Sequence, residues 1–234
     1  MGFETTRAIA ASSPNYHVIM GSRSLEKGQK SMSELQEENL QGSLSLTQLD
    51  VTDQKSISDA AAKIEQEFGR IDVLINNAGI TSKATPFIQE LREIFETNTF
   101  GPAIVTEAFL PLLEKSKDAH LVYVSSDLGS ITLKGDESWK HQKVPAVAYR
   151  MSKAALNMLA MCHHVEYKDR GIKVFTFNPG FVVTNLTGEA DRERRINSGA
   201  GDPADSARAL LAIVDGIRDN EAGKHLHQHG VHPW

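Results

Sequence analysis

The chain has a single cysteine, Cys162. A lone thiol cannot close a disulfide within the chain, so a reducing compartment is expected and the cytoplasm is the predicted location. No apolar run is long enough to cross a bilayer, so no membrane partner is expected. The opening residues lack the basic-then-apolar order of a secretory signal. Basic excess is lacking too: 25 Lys and Arg stand against 30 Asp and Glu, with a formal net charge of −5 and the two signs interleaved. A nucleic-acid-binding domain would carry a basic stripe, so nucleic acid is not an expected partner. Repeats, low-complexity tracts and the short turn signals of β-hairpins are also missing. What remains is 234 residues, 40% of them hydrophobic. That supports the core of one α/β domain, expected to span residues 1–234.

Short apolar runs alternate with amphipathic stretches along the whole chain. "GFETTRAIAA" reads as a helix and "YHVIM" as a strand. "SLEKGQKSMSELQEE" is a polar-faced helix and "SLTQLDV" the next strand. "SISDAAAKIEQEFG" is a helix with Gly69 as its stop. The strand "IDVLINNAG" is followed by a long helical stretch from Phe87 to Ser116 with Asn98 in its middle. "HLVYVSS" is a strand, "AVAYRMSKAALNMLAMCHHVEYKDRG" a helix and "IKVFTFNPG" a strand. Asp202 and Pro203 make an N-cap and first helical position for the helix that follows. "GKHLHQ" closes the series as a short strand. Strands and helices in alternation predict a doubly wound α/β fold, a parallel sheet covered on both faces.

Such sheets bind ligands beyond the carboxyl ends of their strands. Those ends carry "GSR" at 21–23, "DVTD" at 50–53, "NNAG" at 76–79, "SSDLGS" at 125–130 and "NPGFVVT" at 178–184. Tyr149 and Lys153 are four apart on the helix after the serine pair, so they share a face. Alone, that pair reads equally well as an ordinary surface pair.

Taken together, Asp50, Asn76-Asn77-Ala78-Gly79, Asn98, Ser126, Tyr149, Lys153 and Pro179-Gly180 stand in an order that resembles the short-chain dehydrogenase/reductase family, in particular its NADPH-dependent carbonyl reductases. The resemblance covers essentially the whole chain and implies a Rossmann-like sheet. The family opens with a strand and a T-G-x-x-x-G-x-G turn. Gly2 matches the third glycine, so the first strand and most of the glycine-rich turn are expected to be missing here. That predicts two unpaired strand edges facing a gap, at about 1–3 kcal/mol for each buried unpaired backbone group.

The resemblance also implies roles. Tyr149 is the proton donor to a substrate oxygen, and Lys153 lowers its pKa and holds the nicotinamide ribose. Ser126 bonds the same substrate oxygen; the family places its serine second in such a pair, which leaves Ser125 as a strand-end residue. Asn98 holds a water that replaces the proton. NAD-specific relatives carry an acid where Ser22 stands. With Arg23 next, able to grip a 2′-phosphate, NADP is the expected cofactor. Gly2 belongs to the turn that meets the pyrophosphate, Asp50 fits the adenine amino group and Thr184 the nicotinamide carboxamide, with Val182 adding backbone contacts; Val51, Asn77, Ala78, Gly79, Pro179 and Gly180 are further cofactor contacts. The implied function is hydride transfer between NADP(H) and a ketone, aldehyde or alcohol. The alternative is a cofactor-impaired form acting as a pseudoenzyme or assembly partner. The family often pairs through its two long helices, which here carry Asn98 and Tyr149; this allows a homo-oligomer and leaves monomer or dimer open.

Two stretches stay open. The segment between Ser126 and Tyr149, with Trp139, borders a substrate mouth or is a surface loop. His225, His227, His229 and His232 could in part share a strand face, but no acidic or thiol partner accompanies them, and no metal is expected.

Overall fold

The structure is a computed structural model and describes residues 1–234, the side chain of Glu189 excepted. Its elements follow the hydrophobic pattern closely. Helix α1 spans Gly2–Ser12 and strand β1 His17–Ser22. Then come α2 (Leu25–Gln36), β2 (Ser43–Gln48), α3 (Gln54–Phe68) and β3 (Val73–Asn76). Asp53 caps α3 through the Lys55 amide, and Gly69 ends it in the left-handed region at φ 74°, a conformation that glycine adopts without strain.

The long helical stretch is real but not uniform. Helix α4 (Phe87–Phe95) runs into a π-helical turn at Glu96–Phe100 and then into α5 (Gly101–Leu113). Asn98 therefore sits in a local widening of the helix, a feature often found at functional sites. Strand β4 (Ala119–Val124), the short helix α6 (Ile131–Gly135), α7 (Val147–Tyr167) and β5 (Ile172–Asn178) follow. Helices α8 (Arg192–Asn197) and α9 (Pro203–Val214) precede β6 (His225–His227) and β7 (Gly230–His232). The Asp202 side chain accepts from the Ala204 amide, which starts α9 where the sequence predicts.

All strand pairs are parallel except the last. Strand β7 returns antiparallel beside β6. The expectation of a sheet without hairpins fails at this point. The connecting residues Gln228 and His229 carry none of the Asn-Gly or Asp-Gly chemistry that announces a tight hairpin.

Strands β3-β4-β5-β6-β7 form one sheet and β1-β2 another, and β1 is not hydrogen-bonded to β3. A cavity of about 510 Å³ runs between them, walled by Val18 and Met20 of β1, Leu74 and Ile75 of β3, and Ile9 of α1. The expected gap is thus present. Its cost is lower than that for sealed, orphaned groups, because β1 and β3 remain half-buried along most of their length whereas β4 is buried throughout.

Successive residues of β4 point to opposite faces. Val122 and Val124 pack with Ile9, Phe175, Phe177, Leu210 and Ile213 beneath α1 and α9. Leu121 and Tyr123 pack with Leu113, Leu156, Ala160 and Val174 beneath α5 and α7. These two layers fix the carboxyl end of β4 against the first turns of α7.

Candidate active site

Strand β4 ends at Val124, and the chain continues through Ser125 and Ser126. The Ser126 hydroxyl accepts from the Leu128 amide and donates to Asp127 Oδ1, both at 3.2 Å. It caps a single helical turn and is held at the strand end. Helix α7 starts at Val147, which places Tyr149 in its first turn and Lys153 one turn on. Lys153 is 3% exposed, and its ammonium donates to the Val124 carbonyl at 2.9 Å. Its Nζ lies 5.7 Å from the centre of the Tyr149 ring. Ser126, Tyr149 and Lys153 line one cavity of about 280 Å³, together with Asn77, Gly79, Pro179, Gly180, Val182 and Thr184.

The 510 Å³ cavity adjoins it, with Asn77 and Gly79 lining both. Gly2, Arg23, Asp50, Val51 and Ala78 line the larger one. A Cβ on Gly2 would stand 2.9 Å from Asn77 Nδ2, so α1 approaches the strand end closely there and a side chain would displace the Asn77 amide. Gly2 and Phe3, in the first turn of α1, line the larger cavity, and a helix N-terminus is a favourable place for an anion. Asp50 is committed to a local turn, accepting from the Thr52 amide at 3.0 Å and its hydroxyl at 2.7 Å.

Asn98 is the one catalytic candidate that lines neither cavity. It is completely buried. Its Oδ1 accepts from the Ile80 amide at 2.8 Å, and its Nδ2 donates to the Ile80 carbonyl and to Ser152 Oγ. Both amide hydrogens are used, so the side chain ties the loop after Gly79 to α7.

The electrostatics also differ from expectation. Burial pushes the Tyr149 phenol up to about 12; the facing Ser126 hydroxyl pulls it down, the Asp127 charge raises it and the Arg195 charge lowers it. Burial lowers the Lys153 ammonium to about 8. At Tyr149 burial outweighs the lowering contributions, and the Lys153 ammonium, bonded to the Val124 carbonyl, lies 5.7 Å from the centre of its ring.

Comparison with known proteins decides the family. The model of the family described as short chain dehydrogenase matches residues 1–195. The short-chain dehydrogenase/reductase tropE of Talaromyces stipitatus is 30% identical, with 96% of this chain and 90% of that one covered. The chain belongs to the short-chain dehydrogenase/reductase family. A second relative, the short-chain dehydrogenase/reductase eupG of a Phoma species, is 32% identical over 100% of this chain and 94% of its own. The NADPH-bound carbonyl reductase from chicken fatty liver superposes with a TM-score of 0.80 at 29% identity, covering 100% of this chain and 93% of that one. The carbonyl reductase Sniffer of D. melanogaster has the same TM-score at 23% identity and shows the shared fold.

In this short-chain dehydrogenase/reductase, an oxidoreductase by family, two regions line neither cavity among the described residues. Among the described residues, neither cavity is lined by any of 127–148. Trp139 instead packs under the Arg150 guanidinium, which donates to the carbonyls of His141 and Val144. The C-terminal histidines form a packed stack. His225 is fully buried against His232 and Trp234, with neither ring nitrogen partnered among the described residues. Burial and its histidine neighbours lower it to about 3. The described trio with metal-type spacing is elsewhere, at Asp118, His120 and Asp219, and there the Lys173 ammonium already bonds both carboxylates.

Sequence reasoning missed Arg195, a buried residue of the 280 Å³ cavity. No motif marks it. No described helix is long and apolar enough to cross a membrane.

Proposed function

We propose that this chain reduces ketones or aldehydes with NADPH, and oxidises the corresponding alcohols in reverse. The observation that carries the reading is the convergence of Ser126, Tyr149 and Lys153 on one cavity that shares Asn77 and Gly79 with a larger cavity. The residues fit the cofactor. Gly2 and the start of α1 would take the pyrophosphate, Asp50 and Val51 the adenine side, and Arg23 the 2′-phosphate. Asn77, Ala78, Gly79 and Lys153 would border the nicotinamide ribose, and Pro179, Gly180, Val182 and Thr184 the nicotinamide. Bound there, NADP(H) supplies or accepts the hydride.

The chain's own residues do the rest. Ser126 orients the substrate oxygen. Tyr149, with its pKa near 12, keeps its proton through the neutral range and is loaded as a donor. Lys153 supplies positive charge that stabilises the phenolate left behind, provided the lysine is itself protonated. This arrangement favours reduction at neutral pH. An exposed apolar line on α7, Met151, Met158 and Val165, stands at heptad spacing and supports pairing with a second copy through that helix. Cytoplasmic location remains in keeping with the single cysteine.

The separation of β1 from β3 favours a second reading, that of a cofactor-impaired assembly partner. The experiment is a panel of ketones and aldehydes with NADPH or NADH, followed by loss of nicotinamide absorbance. NADPH-dependent turnover of a carbonyl supports the first reading. No turnover together with no NADPH binding by titration supports the second.

A further inference from the structure

The 280 Å³ cavity holds a second buried cation besides Lys153. Arg195, on α8, is 8% exposed and lines the cavity. No Asp or Glu lines it among the described residues. Arg195 is held firmly: Nε and Nη2 both donate to the Val182 carbonyl, at 3.2 and 2.6 Å, and the guanidinium lies over the Phe181 ring, 4.8 Å from its centre. Nη1 has no acceptor among the described residues. Asp191, whose charge also reaches Arg195, is ion-paired through both oxygens to Arg194.

A buried cation is costly unless an anion or a full set of acceptors meets it. A guanidinium fixed by one edge presents its remaining N–H groups in a planar fork suited to a carboxylate. A cofactor phosphate is the other source of negative charge. The 2′-phosphate and pyrophosphate positions proposed above belong to the larger cavity, which Arg195 does not line.

We propose that Arg195 reads a carboxylate on the substrate, so that the favoured substrates are carbonyl compounds carrying an acid group near the carbonyl. This rests on the reading of the cavity as the carbonyl site. A carboxylate held by Arg195 fixes the substrate while Ser126 and Tyr149 meet the carbonyl oxygen. Specificity then arises because the neutral ester leaves the buried guanidinium unanswered.

The test uses 4-acetylbenzoate and its methyl ester, titrated calorimetrically into the wild-type chain, Arg195→Leu and Arg195→Lys. Wild type is expected to bind the acid about tenfold to a hundredfold more tightly than the ester. Arg195→Leu should reduce that ratio to about one, and Arg195→Lys should restore part of it. Titration of NADP⁺ into the same variants separates the two anions. An equal affinity of wild type for acid and ester would overturn the proposal. So would an acid preference that survives in Arg195→Leu, or a loss in that variant confined to NADP⁺. Because binding is read without turnover, the reductase reading is tested separately. If NADPH reduces neither compound but the acid preference follows Arg195, the reductase reading fails and the arginine assignment stands. Reduction of both with no acid preference gives the reverse.

Discussion

Lys153→Met should abolish reduction and at the same time stabilise the fold. Lys153 is 3% exposed, and its one described hydrogen bond is to the Val124 carbonyl. Burial lowers its pKa from 10.5 to about 8. Carrying the charge at pH 7 therefore costs the folded state about 3 kcal/mol relative to the unfolded chain. Methionine has similar length and no charge, so that cost disappears. Against it stands the freed Val124 carbonyl, worth about 1–3 kcal/mol if nothing replaces the ammonium. The expected net is a gain of about 1 kcal/mol, or a rise in Tm of about 2–4 °C for a chain of this size.

The pH dependence supplies the sharper test. The folded pKa lies below the unfolded one, so between about 8 and 10.5 the unfolded chain binds more protons and wild-type stability gains with rising pH from this group. Tyr149, with its folded pKa raised to about 12, acts in the opposite direction above pH 10. The difference between wild-type and Lys153→Met unfolding free energies, from urea titrations at pH 7, 8, 9 and 10, cancels the tyrosine contribution. The variant's advantage should shrink steadily across that range. A variant less stable than wild type by more than about 1 kcal/mol at pH 7, or a pH-independent difference, would refute the argument. Wild-type reduction should also decline as pH rises through about 8, where the lysine loses its charge.

Arg23→Ala should weaken NADPH binding about tenfold to a hundredfold and leave NADH nearly unchanged, because two charge-assisted bonds to a 2′-phosphate are lost. Ser22→Asp should shift preference toward NADH. Fluorescence titration of both cofactors checks these, and equal losses for both cofactors in Arg23→Ala would show that it does not read the phosphate. Met158 is 64% exposed on the outer line of α7. Met158→Glu should convert a dimer to monomer in light scattering, and an unchanged mass would remove this helix from the interface.

Most of the fold was legible because β4 and β5 are buried on both faces and read as unbroken apolar runs, and because Gly69, Asp202 and Pro203 mark helix ends by local chemistry. The residues converging at Ser126, Tyr149 and Lys153 were legible for the same reason: strand ends set their positions. Other features depend on context. The π turn around Asn98 has no compositional signature, so the burial of that side chain could not be anticipated. The β6–β7 hairpin turns through Gln228 and His229, which lack turn chemistry. Arg195 lies in "DRERR", a stretch that reads as a solvated charge run. Only the carbonyl of Val182 and the ring of Phe181, distant in sequence, draw it inside.

The central claim is that Tyr149 delivers a proton to a carbonyl that takes hydride from NADPH. It is tested most directly with NADPH deuterated at its transferable position, a carbonyl from the active panel, and mass spectrometry of the alcohol formed by wild type and Tyr149→Phe. Wild type should place deuterium on the carbinol carbon, and Tyr149→Phe should do so at least about a hundredfold more slowly while still binding NADPH. Equal transfer by both proteins, or NADPH binding by wild type with no transfer to any carbonyl, would contradict the account.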